Sequence, residues 1–373
     1  MWFRLLYPNP IIMKITLLLL VCLFLASSCT LGQNLLEPPL PELPTAKATA
    51  VGLNSDSLAN LIRRINSTPP NDFRGMVVIK DNKLVVEEYF STYWRETIHD
   101  IRSAGKSVTA LLLGIAIDKG LVKNIDQPVY SFFTKKKYTV PPNDGHRDIT
   151  IRHLLTMSSG LDADNEPTSA GSTAKWLMKN DWVNLTTSFP MAFKSGKEFR
   201  YNDVCPMLIG AIIEETSGQK LADFANENLF KPLGIREYYW YTAPNGSTAP
   251  MGNLYITTLD FARIGLLVLN KGRWQGKQII SPSWITPLFQ KQIDITDDRF
   301  ATGYSYFWYL GSKDVNGHKI EYAYASGNGG NTMFVVPSHN LVVCLTSGAY
   351  GQRYGGQRSQ NIFTSILQAL ILN

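Results

Sequence analysis

The chain has 373 residues, 45% of them apolar and 18% charged. That is enough for one large domain or two lobes around a real core, and it excludes disorder for most of the length. A formal charge of +6 is only mildly basic, and the one dense basic run, Lys135-Lys136-Lys137 between Phe133 and Tyr138, reads as a solvated turn, so a nucleic-acid partner is excluded.

At the N-terminus Lys14 precedes the apolar stretch Ile15 to Leu25 and the small residues Ala26-Ser27-Ser28, the pattern of a secretory signal over residues 1–28. The natural start is Met1 or Met13. Cys29, directly after the small residues, resembles the cleavage box of a bacterial lipoprotein, which implies a lipid-bearing Cys29 and a membrane partner through that anchor. Residues 29–50, with Pro38, Pro39, Pro41 and Pro44, are expected to be a lipid-anchored linker, placing residues 51–373 in the cell envelope, facing the periplasm or the exterior. Loss of the signal lowers the formal charge to +4, because only Arg4 and Lys14 leave with it. Cys22 and Cys29 belong to this leader, and Cys205 and Cys344 alone make neither a disulfide framework nor a metal site. No metal and no cofactor is expected.

Arg74 to Lys80 and Leu84 to Phe90 are β-rich runs joined by Asp81-Asn82-Lys83, an early hairpin. Ser103-Ala104-Gly105-Lys106 follows, at the head of an apolar run from Val108 to Ile117 with no polar face, which marks a helix enclosed by protein. Residues three apart on a helix share a face, so the Lys106 ammonium can reach the Ser103 hydroxyl. Burial is expected to favour the neutral amine and make Lys106 a usable base. From about 121 to 233 the pattern is helical and loop-like, a mostly helical lobe. A second Ser-x-x-Lys lies inside it at Ser172-Thr173-Ala174-Lys175, but its small polar surroundings read as a solvated loop entering a short helix, where the lysine has no reason to lose a proton. Phe199-Arg200-Tyr201-Asn202-Asp203 leads into the apolar helix Met207 to Glu214, and a tyrosine at such a turn can face a cleft.

β structure returns with Ile320 to Ala325, Thr332 to Val336 and Leu341 to Thr346, and Gln360 to Ile371 reads as a closing helix. Early and late strands are expected to share one antiparallel sheet flanked by helices, an α+β fold (an α/β sandwich) with the helical lobe inserted between them. Glycines at Ser326-Gly327-Asn328-Gly329-Gly330 would let a substrate lie against the backbone, whose amides can stabilise an oxyanion.

Ser103-x-x-Lys106, Tyr201-Asn202-Asp203 and Ser326-Gly327, in this order, resemble the serine β-lactamase and penicillin-binding-protein superfamily. The likeness is strongest to the branch of class C β-lactamases, esterases and 6-aminohexanoate-dimer hydrolases. Ile149 to Leu161, Pro232-Leu233-Gly234-Ile235 and Gly252-Asn253-Leu254-Tyr255 through Asp260-Phe261-Ala262-Arg263 extend it over roughly residues 55–370. The resemblance implies a β-lactamase/transpeptidase-like fold, Ser103 as the nucleophile of an acyl-enzyme, Lys106 as its base or base partner, and Tyr201 sharing the proton work. It implies an oxyanion hole from the amides of Ser103 and Asn328, with Ser326 and Gly327 on the substrate strand. His153, inside the packing signature, is expected to be a buried structural histidine, and no Gly-x-Ser-x-Gly elbow supports a Ser-His-Asp hydrolase.

Two positions depart from the family pattern. Asp203 stands where Asn is usual, adding a negative charge beside Lys106. Ala325 stands where Lys or His is usual, removing the cation that holds a substrate carboxylate, with Arg353 and Arg358 as candidate replacements. Together they favour a small-molecule ester or amide substrate over a β-lactam or a D-Ala-terminated peptide. A β-lactamase or D,D-carboxypeptidase is the alternative within catalysis, and a non-catalytic peptidoglycan- or partner-binding lipoprotein the alternative outside it. The aromatic residues Trp176, Trp182, Tyr304, Tyr306 and Trp308 fit a substrate pocket and a core equally well.

Overall fold

The computed structural model describes residues 42–134, 145–163, 172–296 and 298–371. The Lys135-Lys136-Lys137 run, the leader and Cys29 lie outside the described residues.

Asn54 caps a first helix, α1 (Ser55–Ser67), by accepting from the Ser57 amide, and the helix buries Leu58 and Leu61 on one side. β1 (Phe73–Lys80) and β2 (Lys83–Tyr89) form the early hairpin, turning at Asp81 and Asn82 with φ of 53° and 60°. That left-handed pair is what a two-residue primed turn requires, and Asn and Asp tolerate it. After the short strand β3 (His99–Asp100) the chain makes a 3-10 turn at Arg102–Ala104 and enters α2 (Gly105–Asp118), buried on every side down to Ala116.

No named strand occurs among the described residues between β3 and β4. That stretch holds α3 (Ile151–Leu155), α4 (Thr173–Trp176) and α5 (Val204–Ser217), with further short helices such as Trp182–Thr186 and Leu221–Ala225. Trp176 and Trp182 are buried and meet edge-on at 5.3 Å, so these two serve the core. β4 (Tyr238–Trp240) and β5 (Leu254–Ile256) join β3 in a small sheet, and α6 (Thr258–Leu269) follows.

Five late strands, β6 (Gly303–Tyr304), β7 (Tyr309–Val315), β8 (His318–Gly327), β9 (Asn331–Val336) and β10 (Leu341–Ser347), precede α7 (Arg353–Gln368). The main sheet runs β2-β1-β10-β9-β8-β7-β6, with the first hairpin paired antiparallel to the last strand through registers such as Val77 with Cys344. Closing the sheet this way brings residues 73–80 against residues 341–347 and leaves everything between them as one long excursion.

Alternation along the strands builds two layers. Val77, Ile79, Ala323, Ala325, Met333, Val335 and Val342 point to the side of α2 and α6. Met76, Val78, Tyr322, Phe334 and Val343 point to α1 and α7, where Phe334 stacks on Phe363 with ring centroids 3.9 Å apart. α6 lies close on the sheet because Gly265 is there: a Cβ would come within 2.7 Å of Val342 Cγ1. The fold is thus helices on both faces of an antiparallel sheet.

Candidate active site

The site grows out of the turn at the head of α2. Arg102 takes a left-handed φ of 53°, held because Asp100 Oδ1 accepts its amide at 2.8 Å and Asp100 Oδ2 meets its Nε at 3.0 Å. The next residue, Ser103, is half-exposed, and one turn on Lys106 is 2% exposed. Small polar side chains then lock α2 to neighbouring loops, Ser107 donating to the Phe307 carbonyl at 2.6 Å and Thr109 to the Pro250 carbonyl at 2.8 Å.

Lys106 Nζ lies 3.0 Å from Ser103 Oγ, 2.7 Å from the Met251 carbonyl and 2.6 Å from Asp203 Oδ1, with the Tyr201 ring centre 5.0 Å away. An ammonium carries three donors, and Ser103 Oγ, the Met251 carbonyl and Asp203 all lie within its hydrogen-bond reach. Burial alone would pull the Lys106 pKa down, but the attraction of Asp203 and Tyr201, with hydrogen bonds to both, carries it above its ordinary value. The expected loss of charge on burial is therefore corrected: the carboxylate supplies what the missing water would have.

Tyr201, Asn202 and Asp203 divide the work of their turn. Asn202 Oδ1 accepts the Cys205 amide at 2.8 Å and its Nδ2 donates to the Arg200 carbonyl at 2.9 Å, so the middle residue starts α5 and points inward. That frees Tyr201 and Asp203 to face Lys106. Asp203 Oδ2 also accepts Thr173 Oγ1 at 2.5 Å. Thr173 belongs to the second Ser-x-x-Lys, whose segment is not simply solvated as expected: Ser172 and Trp176 are buried, while Lys175 stays exposed.

The glycine-rich strand end meets the Ser103 turn from the other side. A Cβ on Gly327 would sit 2.0 Å from the Ile101 carbonyl oxygen and 3.2 Å from the Ala104 amide, an approach only glycine permits. Ser326 is half-buried at the end of β8, and Asn328 is exposed, its Oδ1 accepting the Gly351 amide at 2.7 Å. Behind them Tyr350 donates to the Asp100 carbonyl at 2.8 Å and carries the Arg102 guanidinium 4.4 Å from its ring centre, tying the final loop to the Ser103 turn.

Ala325 is fully buried. Of its candidate substitutes, Arg358 is committed to Asp72 Oδ1 and Ser347 Oγ, both at 2.5 Å, and Arg353 is exposed at the start of α7. His153 is structural, as expected, but half-buried rather than buried: its Nδ1 accepts the Thr150 amide in a capping box at the start of α3. Tyr304, Tyr306 and Trp308 are core residues, with Tyr304 packed edge-on to Phe199 at 5.0 Å just behind the Tyr201 turn. Cys205 and Cys344 are free and buried, and no group of metal-binding side chains occurs among the described residues.

Sequence reasoning missed two contributors. The Met251 carbonyl is backbone and leaves no side-chain signal, though its loop precedes the Gly252-Asn253 motif. Thr173 was in view but read as part of a decoy.

The profile of the Beta-lactamase family matches residues 65–363. Among characterised relatives, the chain is 22% identical over 282 residues to the 6-aminohexanoate-dimer hydrolase of Paenarthrobacter ureafaciens, covering 72% of this chain and 69% of that one. Two further relatives, from Escherichia coli, are spanned over only 55% of their length. Similar solved structures include a penicillin-binding-protein homologue from Caulobacter crescentus, with TM-score 0.65 and 17% identity over 86% of this chain and 99% of that one. The hydrolase EstCE1, with promiscuous acyltransferase activity, has TM-score 0.65 and 17% identity over 85% and 99%.

Proposed function

The chain belongs to the Beta-lactamase family, and we propose on that premise that it is a serine hydrolase that forms an acyl-enzyme on Ser103 and hydrolyses an ester or small amide in the cell envelope. One observation carries this reading: a half-exposed serine hydroxyl 3.0 Å from a buried lysine that shares its surroundings with Tyr201. Nothing in packing requires so polar a cluster at the head of an apolar helix, and desolvated charges are retained where chemistry uses them.

In this mechanism Ser103 Oγ attacks the carbonyl carbon and its proton passes to the Lys106–Tyr201 pair. The electron pair displaced onto the carbonyl oxygen is stabilised by the amides of Ser103 and Asn328. Collapse of the tetrahedral species breaks the bond to the alkoxide or amine, which leaves with the pair's proton. Water then attacks the acyl carbon by the same route and frees Ser103.

The buried Ala325 and the engagement of Arg358 with Asp72 support substrates that need no carboxylate grip. The small-residue run ending at Cys29 supports a lipid-anchored position. Replacement Ser103→Ala is expected to abolish hydrolysis of short-chain p-nitrophenyl esters and of small amides, and a fluorophosphonate probe to add its mass to Ser103 in the wild type only. Equal turnover by Ser103→Ala would refute the proposal. Labelling of Ser103 by a fluorescent penicillin at rates matching the ester would instead favour a β-lactamase or D,D-peptidase.

A further inference from the structure

We propose that Asp203, anchored by Thr173, is a positioning residue that holds Lys106 as a fixed cation and so sets the pH above which Ser103 can be acylated. This rests on the reading of Ser103 as nucleophile.

Both Asp203 oxygens are in use, Oδ1 at 2.6 Å from Lys106 Nζ and Oδ2 at 2.5 Å from Thr173 Oγ1. The carboxylate therefore cannot rotate away from the ammonium without losing a charge-assisted hydrogen bond. Lys106 in turn has Ser103 Oγ, the Met251 carbonyl and Asp203 within 3.0 Å. An ammonium can donate to all three at once, and the Asp203 carboxylate at 2.6 Å favours that charged form. As a cation the nitrogen has no lone pair with which to take the serine's proton.

Before Ser103 can give up its proton, the Lys106–Tyr201 pair must therefore lose one. Asp203 places a negative charge against that pair and retains the proton. Among the described residues, the titratable groups packed against the cluster are Cys205 behind Asp203, its thiol pushed up to about 11 by burial, and Tyr304 and Tyr309 behind Tyr201, both raised by burial. Thr173 comes from the inserted lobe and Lys106 from α2, so the clamp also ties the lobe to the catalytic helix.

The test is the pH dependence of kcat/KM for p-nitrophenyl acetate in the wild type, Asp203→Asn and Asp203→Glu. Removing the anion lowers the pair's hold on its proton, so the acidic limb of Asp203→Asn should lie about one pH unit or more below the wild type, while Asp203→Glu keeps the wild-type limb. Thr173→Val, which keeps the charge but frees the carboxylate, should lower kcat roughly tenfold without moving the limb, and Thr173→Ser should restore it. An unmoved limb in Asp203→Asn would overturn the proposal even if kcat falls, since a merely structural role lowers activity at every pH alike.

A direct measurement covers the case in which Asp203→Asn does not fold. In wild-type protein carrying ¹⁵N-labelled lysine, the Lys106 Nζ resonance should stay that of an ammonium up to and beyond the ordinary lysine range. Titration of Lys106 below that range would also overturn the clamp. If Ser103→Ala is as active as the wild type, the nucleophile reading fails, and the nitrogen titration still decides the clamp independently.

Discussion

Two buried titratable residues near Ser103 show how much a partner matters. Lys106 keeps its charge because a carboxylate lies 2.6 Å away. His99, 2% exposed on β3, has no hydrogen-bond partner at Nε2, and its pKa is pushed down to about 4 by burial and by Arg74. Between that value and the ordinary 6.5 an unfolded chain takes up a proton that the folded chain refuses. Stability therefore rises with pH across this window: the His99 contribution is fully present above about pH 6.5 and is lost as pH falls toward 4. The shift corresponds to about 3 kcal/mol at most. Urea unfolding at pH 4.5 and 6.5 should show a clear loss of stability at the lower pH in the wild type and a smaller one in His99→Gln. An equal loss in both proteins would assign the acid sensitivity to other groups.

At the scale of elements, the site is a meeting of two backbones. The end of β8 can touch the turn before α2 only because Gly327 has no side chain, a Cβ there falling 2.0 Å from the Ile101 carbonyl oxygen. Since that oxygen is backbone, it cannot swing aside, and Gly327→Ala must move the strand end or the Ser103 turn. A displacement near 1 Å costs on the order of 100-fold in rate. Fluorophosphonate labelling of Gly327→Ala is expected to slow by that order while far-UV circular dichroism stays unchanged. Gly356→Ala is the control, because that glycine lies within α7 with open space where its Cβ would go. Comparable labelling by both variants would show that the close approach does not matter. Gly114 on α2 makes a similar approach to packing rather than chemistry: its Cβ would fall 2.3 Å from the Trp284 ring.

For the molecule as a whole, the sheet is closed by strands from opposite ends of the described chain, β1 against β10, and the helical excursion returns to it through contacts such as Thr173 with Asp203. No helix among the described residues is long and apolar enough to cross a membrane; the proposed envelope address rests on the residues around Cys29. Fractionation of cells expressing the protein should find the wild type in the membrane pellet and Cys29→Ser in the soluble fraction. Retention of Cys29→Ser in the pellet would remove the lipid-anchor reading.

Much of this was legible in the residues. Alternating and β-branched runs marked β1, β2, β8, β9 and β10 to within a few residues, and the faceless apolar run after Ser103 announced a buried helix, because burial is written in local composition. Short strands without such runs escaped notice, among them β3 to β7, since two to seven residues paired at a sheet edge or in a small sheet carry little periodic signal. The order of Ser103, Lys106, Tyr201 and Ser326-Gly327 in the sequence marked the residues of the candidate site. Tertiary structure alone decided their electrostatics. A lysine's charge depends on what lies within a few ångströms of its nitrogen, and both Asp203 and the Met251 carbonyl reach Lys106 from far along the chain. The same long-range geometry placed Thr173, part of the second Ser-x-x-Lys, against Asp203 beside Lys106.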